Sequence, residues 1–86
     1  MPTTSTVIVG SAVGLHARPA AIIAEAAGNL DAPVTLALPG EEPVDASSSL
    51  MIMTLGAGKG AEVEVSSESA AAHDAIAALV AQDLDA

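Results

Sequence analysis

The sequence predicts an α+β fold in which helices cover one face of an antiparallel sheet. The first observation is the order of short segments, βαββαβα, which turn residues separate at regular intervals. The second is that strand-like segments alternate polar and apolar residues, whereas helix-like segments need one apolar face covered. An antiparallel sheet with helices on one side satisfies both patterns. The 86 residues suffice for a single domain, placed at 1–86.

Four elements are predicted in the first half of the chain. Thr6–Val9 is β-branched and ends before Gly10, which is typical of a strand. Strong helix formers occupy Pro19–Ala27, with the proline in the first turn, where its missing N–H costs little. Val34–Leu38 alternates as a half-buried strand does, and Glu42–Asp45 can return beside it as a short edge strand, where proline is tolerated.

Three more elements are predicted in the second half. Ser47–Ser49 precedes Leu50–Met53, which predicts a short helix because serine is favoured at the helix N-cap. Ala61–Ser66 alternates strictly between apolar and polar residues, which predicts a strand with one dry and one wet face. From Ser69 to Leu84, apolar residues recur at helical spacing and predict a final helix.

Composition excludes several classes of function. Eleven acidic residues against two cations give a formal charge of -9, which repels nucleic acid, and no aromatic residue is present to stack on bases. The chain has no cysteine, and its carboxylates and two histidines are scattered, so we predict no metal site and no cofactor. The beginning of the chain has no basic region, and no apolar run approaches the length of a membrane span. We therefore expect a cytoplasmic protein that does not insert into membranes.

The candidate site is a histidine at the start of the first predicted helix. His16 is followed by Arg18, one of the two cations of the chain, and Ala17 and Pro19 in the same first turn are expected to take part in phosphate binding. The free N–H groups and the dipole of a helix start favour a bound phosphate, and the same dipole keeps the imidazole neutral and nucleophilic. The guanidinium of Arg18 matches phosphate oxygens. Alternatively, His16 only caps the helix and Arg18 only offsets acidic neighbours; the spacing by itself supports an anion site, not a covalent one.

The segment Gly14–Ala20, Gly-Leu-His-Ala-Arg-Pro-Ala, resembles the active-site signature of HPr, the histidine-containing phosphocarrier family of the sugar phosphotransferase system. Val44–Ser48, Met53–Gly56, Lys59–Ala61 and the alanine-rich last helix resemble further blocks of that family at their usual spacing. The resemblance covers essentially the full length. It implies an open-faced β-sandwich, in which a four-stranded antiparallel sheet carries three helices on one face.

The resemblance also implies a function. His16 would be phosphorylated on Nδ1 by phosphorylated enzyme I, which draws on phosphoenolpyruvate, and would then donate to sugar-specific EIIA domains. Arg18 would neutralise the phosphate. Such a protein is a stoichiometric carrier and not an enzyme in its own right. We expect a monomer, because a chain of 86 residues must leave the face around His16 free for two successive partners.

A small apolar docking surface is expected around the site, and methionine suits it because its side chain adapts to different partners. The expected residues are Ala17, Ala20, Leu50, Met51 and Met53. Plain core packing is the alternative for these side chains, and for Met53 it is about equally well supported.

Three polar residues have simpler interpretations. Ser48 aligns with a serine that a kinase phosphorylates in some members of the family, but its neighbours here are Ser47 and Ser49 instead of a basic and an apolar residue. We therefore favour a capping role for Ser48, with regulation as the alternative. His73, in the last helix, is expected to be solvated, and Lys59 is expected in an exposed turn.

Two other functions remain open. A carrier in a nitrogen-regulatory or dihydroxyacetone-kinase relay would use His16 in the same way but face other partners. A regulatory binding module would no longer accept phosphate, which the presence of both His16 and Arg18 disfavours. The sequence does not show which sugars or partners are served.

Overall fold

The computed structural model describes residues 2–84, and its elements follow the predicted order βαββαβα. The strands are β1 (Thr3–Ile8), β2 (Val34–Ala37), β3 (Val44–Asp45) and β4 (Glu62–Ser67). The helices are α1 (Ala17–Gly28), α2 (Ser49–Thr54) and α3 (Ala70–Ala81). The predicted fold class, a four-stranded antiparallel sheet with three helices in an open-faced sandwich, is confirmed.

The sheet has the strand order β1-β4-β2-β3, and every neighbouring pair is antiparallel. The alternation predicted for β4 is confirmed: Val63 and Val65 are fully buried, whereas Glu62 and Glu64 point to the other face. Because β4 lies between β1 and β2, its two valines are at the centre of the layer that the helices cover.

The boundaries of the elements differ from the prediction by up to three residues, and three of these differences have a clear physical cause. β1 begins at Thr3, because Thr3 pairs with Ser67 and extends the ladder beyond the β-branched run. β3 contains only Val44 and Asp45, since Pro43 has no N–H to donate to a ladder. α3 ends at Ala81 and not at Leu84, because the backbone turns away at the next residue and the Leu84 N–H donates to Ser11 Oγ at 3.1 Å.

The core consists of aliphatic side chains and alanine, so the elements approach each other closely. α1 contributes Ala20 and Ile23, and α3 contributes Ile76 and Val80, all fully buried. At Gly10, whose N–H donates to the Val80 carbonyl at 3.0 Å, an added Cβ would collide with the Ala81 carbonyl. The loop after β1 therefore packs directly against the end of α3.

The short helix α2 has the serine cap that the sequence predicts. The N–H of Met51 donates to Ser48 Oγ at 3.2 Å. Just before it, Asp45 Oδ1 accepts hydrogen bonds from the backbone N–H of Ser47 at 2.9 Å and from its hydroxyl at 2.7 Å. The backbone bond, and then the hydroxyl bond, hold the pKa of Asp45 below its ordinary value. A helix of six residues cannot form on propensity alone, so α2 depends on this cap and on the buried Ile52.

His73 is not solvated, and that expectation was wrong. Its side chain lies between α3 and β1, and only 6% of the residue is exposed. Nδ1 is 2.8 Å from Asp74 Oδ1 and Nε2 is 2.7 Å from Ser5 Oγ. A carboxylate can only accept, so Nδ1 carries hydrogen and, in the neutral ring, Nε2 accepts from the Ser5 hydroxyl. The sequence did not show this because the predicted first strand omitted Ser5.

Replacing Ser48 with alanine should lower the free energy of unfolding by about 1 kcal/mol, the usual scale for a lost N-cap. Ser49→Ala is the matched control, since Ser49 is the first helical residue and its hydroxyl makes no bond among those found in residues 2–84. Urea denaturation of the three proteins measures the difference. Equal stability of the wild type and Ser48→Ala would contradict the capping role.

Replacing His73 with alanine should lower the free energy of unfolding by about 1–3 kcal/mol, because the change leaves a gap between α3 and β1 and removes the partner of Ser5. Asp74→Ala should cost less than about 1 kcal/mol, since that carboxylate is largely exposed. Thermal unfolding followed by circular dichroism compares the two variants. A melting temperature for His73→Ala equal to that of the wild type would show that the contact does not stabilise the fold.

Candidate functional site

His16 occupies the N-cap position of α1, with an extended backbone at φ -117° and ψ 173°. Its carbonyl accepts from the N–H of Ala20 at 3.1 Å and so begins the helix. Its side chain is exposed and makes no capping hydrogen bond. The interpretation that the imidazole only caps the helix therefore has no support in the geometry.

The start of α1 offers unpaired donors to an anion. The first N–H groups of a helix have no partner within it, and those of Ala17 and Arg18 are available here. Pro19 was also expected to take part in phosphate binding, but it has no N–H and is buried, so it shapes the first turn and offers no donor to an anion. The first turn contains no acidic residue, although the chain is strongly acidic. A negative group at this position would meet the positive end of the helix dipole without a nearby like charge on that turn.

The loop before His16 is held in place by a backbone hydrogen bond and by a buried side chain. The N–H of Leu15 donates to the carbonyl of Ala57 at 2.8 Å, and the Leu15 side chain is buried. Gly14 has φ +77°, and an added Cβ would collide with that same carbonyl. Leu15, the residue directly before His16, is therefore fixed in the core, and the imidazole of His16 lies on the surface.

A shallow depression of about 200 Å³ lies beside the imidazole. Besides His16, it is lined by Val13, Leu15, Met53, Gly56, Ala57 and Gly58. Its walls contain no carboxylate. A larger depression, of about 300 Å³, lies by the end of α1 and the entry to β2, and it contains neither a histidine nor a cation. Of these two depressions, the smaller is the one lined by a histidine, and that histidine is the N-cap of α1, so we take it as the candidate site.

The residues expected to form a docking surface differ in their exposure. Leu50 is 68% exposed, Met51 is 43% exposed and Ala17 is exposed, whereas Met53 is half-buried against the core. The expectation for Ala20 was wrong. It is 0% exposed, because it lies on the side of α1 that faces the core. Since α1 is rich in alanine on every side, the sequence alone could not show which alanines face inward.

Sequence reasoning missed Val13, which is 60% exposed and lines the depression beside His16. The available signal was a large apolar residue in a loop between small ones, directly before the Gly14 turn. An exposed valine beside the His16 depression adds apolar surface that a protein partner can cover.

Within residues 2–84, neither Arg18 nor Lys59 forms an ion pair with a carboxylate, and both side chains are exposed. Over the same residues there is no cluster of three potential metal ligands. None of the helices in this part of the chain is long and apolar enough to cross a membrane.

Comparison with known proteins is consistent with this geometry. A family model described as "PTS HPr component phosphorylation site" matches residues 3–82. Among curated proteins, the chain is 44% identical over 80 residues to the phosphocarrier protein HPr of Streptomyces coelicolor, covering 90% of this chain and 86% of that protein.

Solved structures show the same fold. The crystal structure of a phosphocarrier protein HPr from Bacillus anthracis has a TM-score of 0.84 at 30% identity, covering 92% of this chain and 96% of that one. The crystal structure of HPr-C-His from Thermoanaerobacter tengcongensis has a TM-score of 0.81, also at 30% identity, covering 91% and 90% of the two chains.

Proposed function

Because the chain belongs to the HPr family, the phosphocarriers of the phosphotransferase system, we propose that its His16 accepts a phosphoryl group from phosphorylated enzyme I and donates it to sugar-specific EIIA domains. The observation that carries this proposal is the exposed imidazole of His16 at the N-cap of α1, unused by the helix. The protein is a stoichiometric carrier that turns over only with its partners.

The proposed transfer exchanges one P–N bond for another. The lone pair of Nδ1 on the neutral His16 ring attacks the phosphorus of the donor's phosphohistidine. The electron pair of the breaking P–N bond returns to the donor ring, which carries a hydrogen on its other nitrogen and leaves as a neutral imidazole. The hydrogen on Nε2 stays where it is, so no base is needed to remove a proton during the attack. The step requires only an accessible, neutral imidazole and groups that bind the negative phosphate.

The helix start and Arg18 supply those groups. An anion at an exposed helix N-terminus is stabilised by about 0.3–1 kcal/mol, and a guanidinium adds charge-assisted hydrogen bonds to phosphate oxygens. These are modest energies. They suit a carrier, because a phosphoryl group held too firmly on His16 would not pass to the next protein.

The exposed apolar residues around the site are the proposed docking surface for both partners. Val13, Leu50 and Met51 have flexible or small side chains that can pack against different proteins. Phosphorylation of Ser48, the regulatory alternative, would put negative charge at the start of α2 beside this surface and weaken docking. We further propose that the protein works as a cytoplasmic monomer with the His16 face open.

Incubation with enzyme I and phosphoenolpyruvate should add the mass of one HPO₃ to the protein. The label should be lost in acid and kept in base, as expected of phosphohistidine and not of phosphoserine. His16→Ala should fold, since the side chain is exposed, and should take no label. Intact-mass spectrometry measures the label and fragment masses locate it. Full, acid-labile labelling of His16→Ala would place the acceptor elsewhere and overturn the assignment.

Arg18→Ala should still fold and accept phosphate, because its side chain is exposed and the nucleophile remains. Transfer to an EIIA domain should slow by roughly 10- to 1,000-fold, the range for losing one charged contact to a transferring group. Rapid-quench kinetics measure the rate, and Arg18→Lys should recover part of it because a charge remains without the fork geometry. Wild-type rates in Arg18→Ala would remove Arg18 from the site.

A further inference from the structure

The turn that carries Lys59 is held by three backbone hydrogen bonds. Gly60 donates to the Val9 carbonyl at 2.9 Å, Val9 donates to the Ala61 carbonyl at 3.0 Å, and Ala61 donates to the Gly58 carbonyl at 3.0 Å. The turn is therefore bound to the end of β1, just before the loop that leads to His16.

The same turn borders the His16 site. Gly58 lines the depression beside the imidazole, and Ala57 accepts the hydrogen bond that anchors Leu15. Lys59 follows Gly58 directly and is exposed. The glycines on both sides of Lys59 have no side chains to restrict its stem, and the residue directly follows one that lines the depression.

The charge pattern makes this placement informative. Of the two cations in the chain, one lies on α1 beside His16 and the other on this turn. With eleven carboxylates available, neither cation is paired with one in residues 2–84. The lining of the depression also contains no carboxylate. One free positive charge thus lies two residues after His16, and the other lies one residue after Gly58 of the depression, in a protein that is otherwise strongly acidic.

We propose that the ammonium of Lys59 is a second binding group for the phosphoryl group on His16, approaching from the turn before β4 while Arg18 approaches from α1. This rests on the proposed function of His16. A phosphoryl group carries close to two negative charges above its second pKa of about 6. Two unpaired cations match that charge, so Lys59 favours the dianion over the monoanion.

The test needs no protein partner. The protein is phosphorylated with phosphoramidate, fragment masses confirm the label on His16, and ³¹P NMR follows the second ionisation of the phosphohistidine with pH. Lys59→Gln should raise the pKa of that ionisation by about 0.5–1, the effect of losing one unit charge about 4 Å away in water. Lys59→Arg should keep the wild-type value.

Ala71→Glu is the matched control for net charge. It makes the protein more negative by one charge, as Lys59→Gln does, and it lies at an exposed position in the first turn of α3, where an acidic residue suits the helix. The other end of α3 contacts Gly10, in the loop that leads to His16. Ala71 is roughly 13 Å along the helix from that contact, so its substitution acts at the end of α3 away from this loop. Its phosphohistidine should titrate as in the wild type, with a shift well below that of Lys59→Gln.

Two results would overturn the proposal while leaving the carrier function intact. One is a labelled His16 that titrates identically in the wild type and Lys59→Gln. The other is an equal shift in Lys59→Gln and Ala71→Glu, which would show an effect of net charge alone. Failure of the wild type to take any label on His16, from phosphoramidate or from enzyme I, would instead defeat the proposed function and the role of Lys59 together.

Discussion

The hydrogen bond from Leu15 to the Ala57 carbonyl is the contact on which the arrangement of the site depends. It joins the loop after β1 to the segment between α2 and β4, and it can form only because Gly14 brings no Cβ to the same carbonyl. With Leu15 held in the core, the chain must leave the interior at His16 before α1 begins. One close backbone approach thus sets the exposure of the imidazole, the helix start behind it and the depression beside it.

That arrangement separates the requirements of folding from those of transfer. The groups proposed to hold phosphate, namely the N–H groups of Ala17 and Arg18 and the Arg18 guanidinium, are exposed and contribute little to the core. The residues that support them are buried and apolar. Changes at the surface can therefore alter phosphate affinity at small cost to stability, whereas a side chain at Gly14 would disturb both. The contact between His73 and Ser5 has a structural role, since it joins α3 to β1. Of the two histidines in residues 2–84, His16 is the exposed one.

Features set by neighbouring residues were predictable from the sequence, and features set by distant ones were not. The faces of β4, the serine cap of α2 and the position of His16 at the start of α1 all follow from residues a few positions apart. The burial of His73 required knowing that β1 reaches back to Thr3. The burial of Ala20 required knowing which side of an alanine-rich helix meets the core, and alanine gives little contrast between sides. The sequence did not show that the turn carrying Lys59 borders the His16 depression, because residues distant in the chain bring them together.

The negative charge of the chain opposes the association between copies that its exposed apolar side chains would favour. Val13, Leu50 and Met51 are exposed, and exposed apolar side chains in a neutral protein would favour association between copies. A net charge of -9 opposes that association, and it acts over a distance comparable to the protein's own dimensions only at low salt. Arg18 and Lys59, unpaired within residues 2–84, reduce the repulsion locally, so the proposed phosphorylated partner would be repelled less there. Repulsion between copies and tolerance of a phosphorylated partner thus follow from the same uneven distribution of charge.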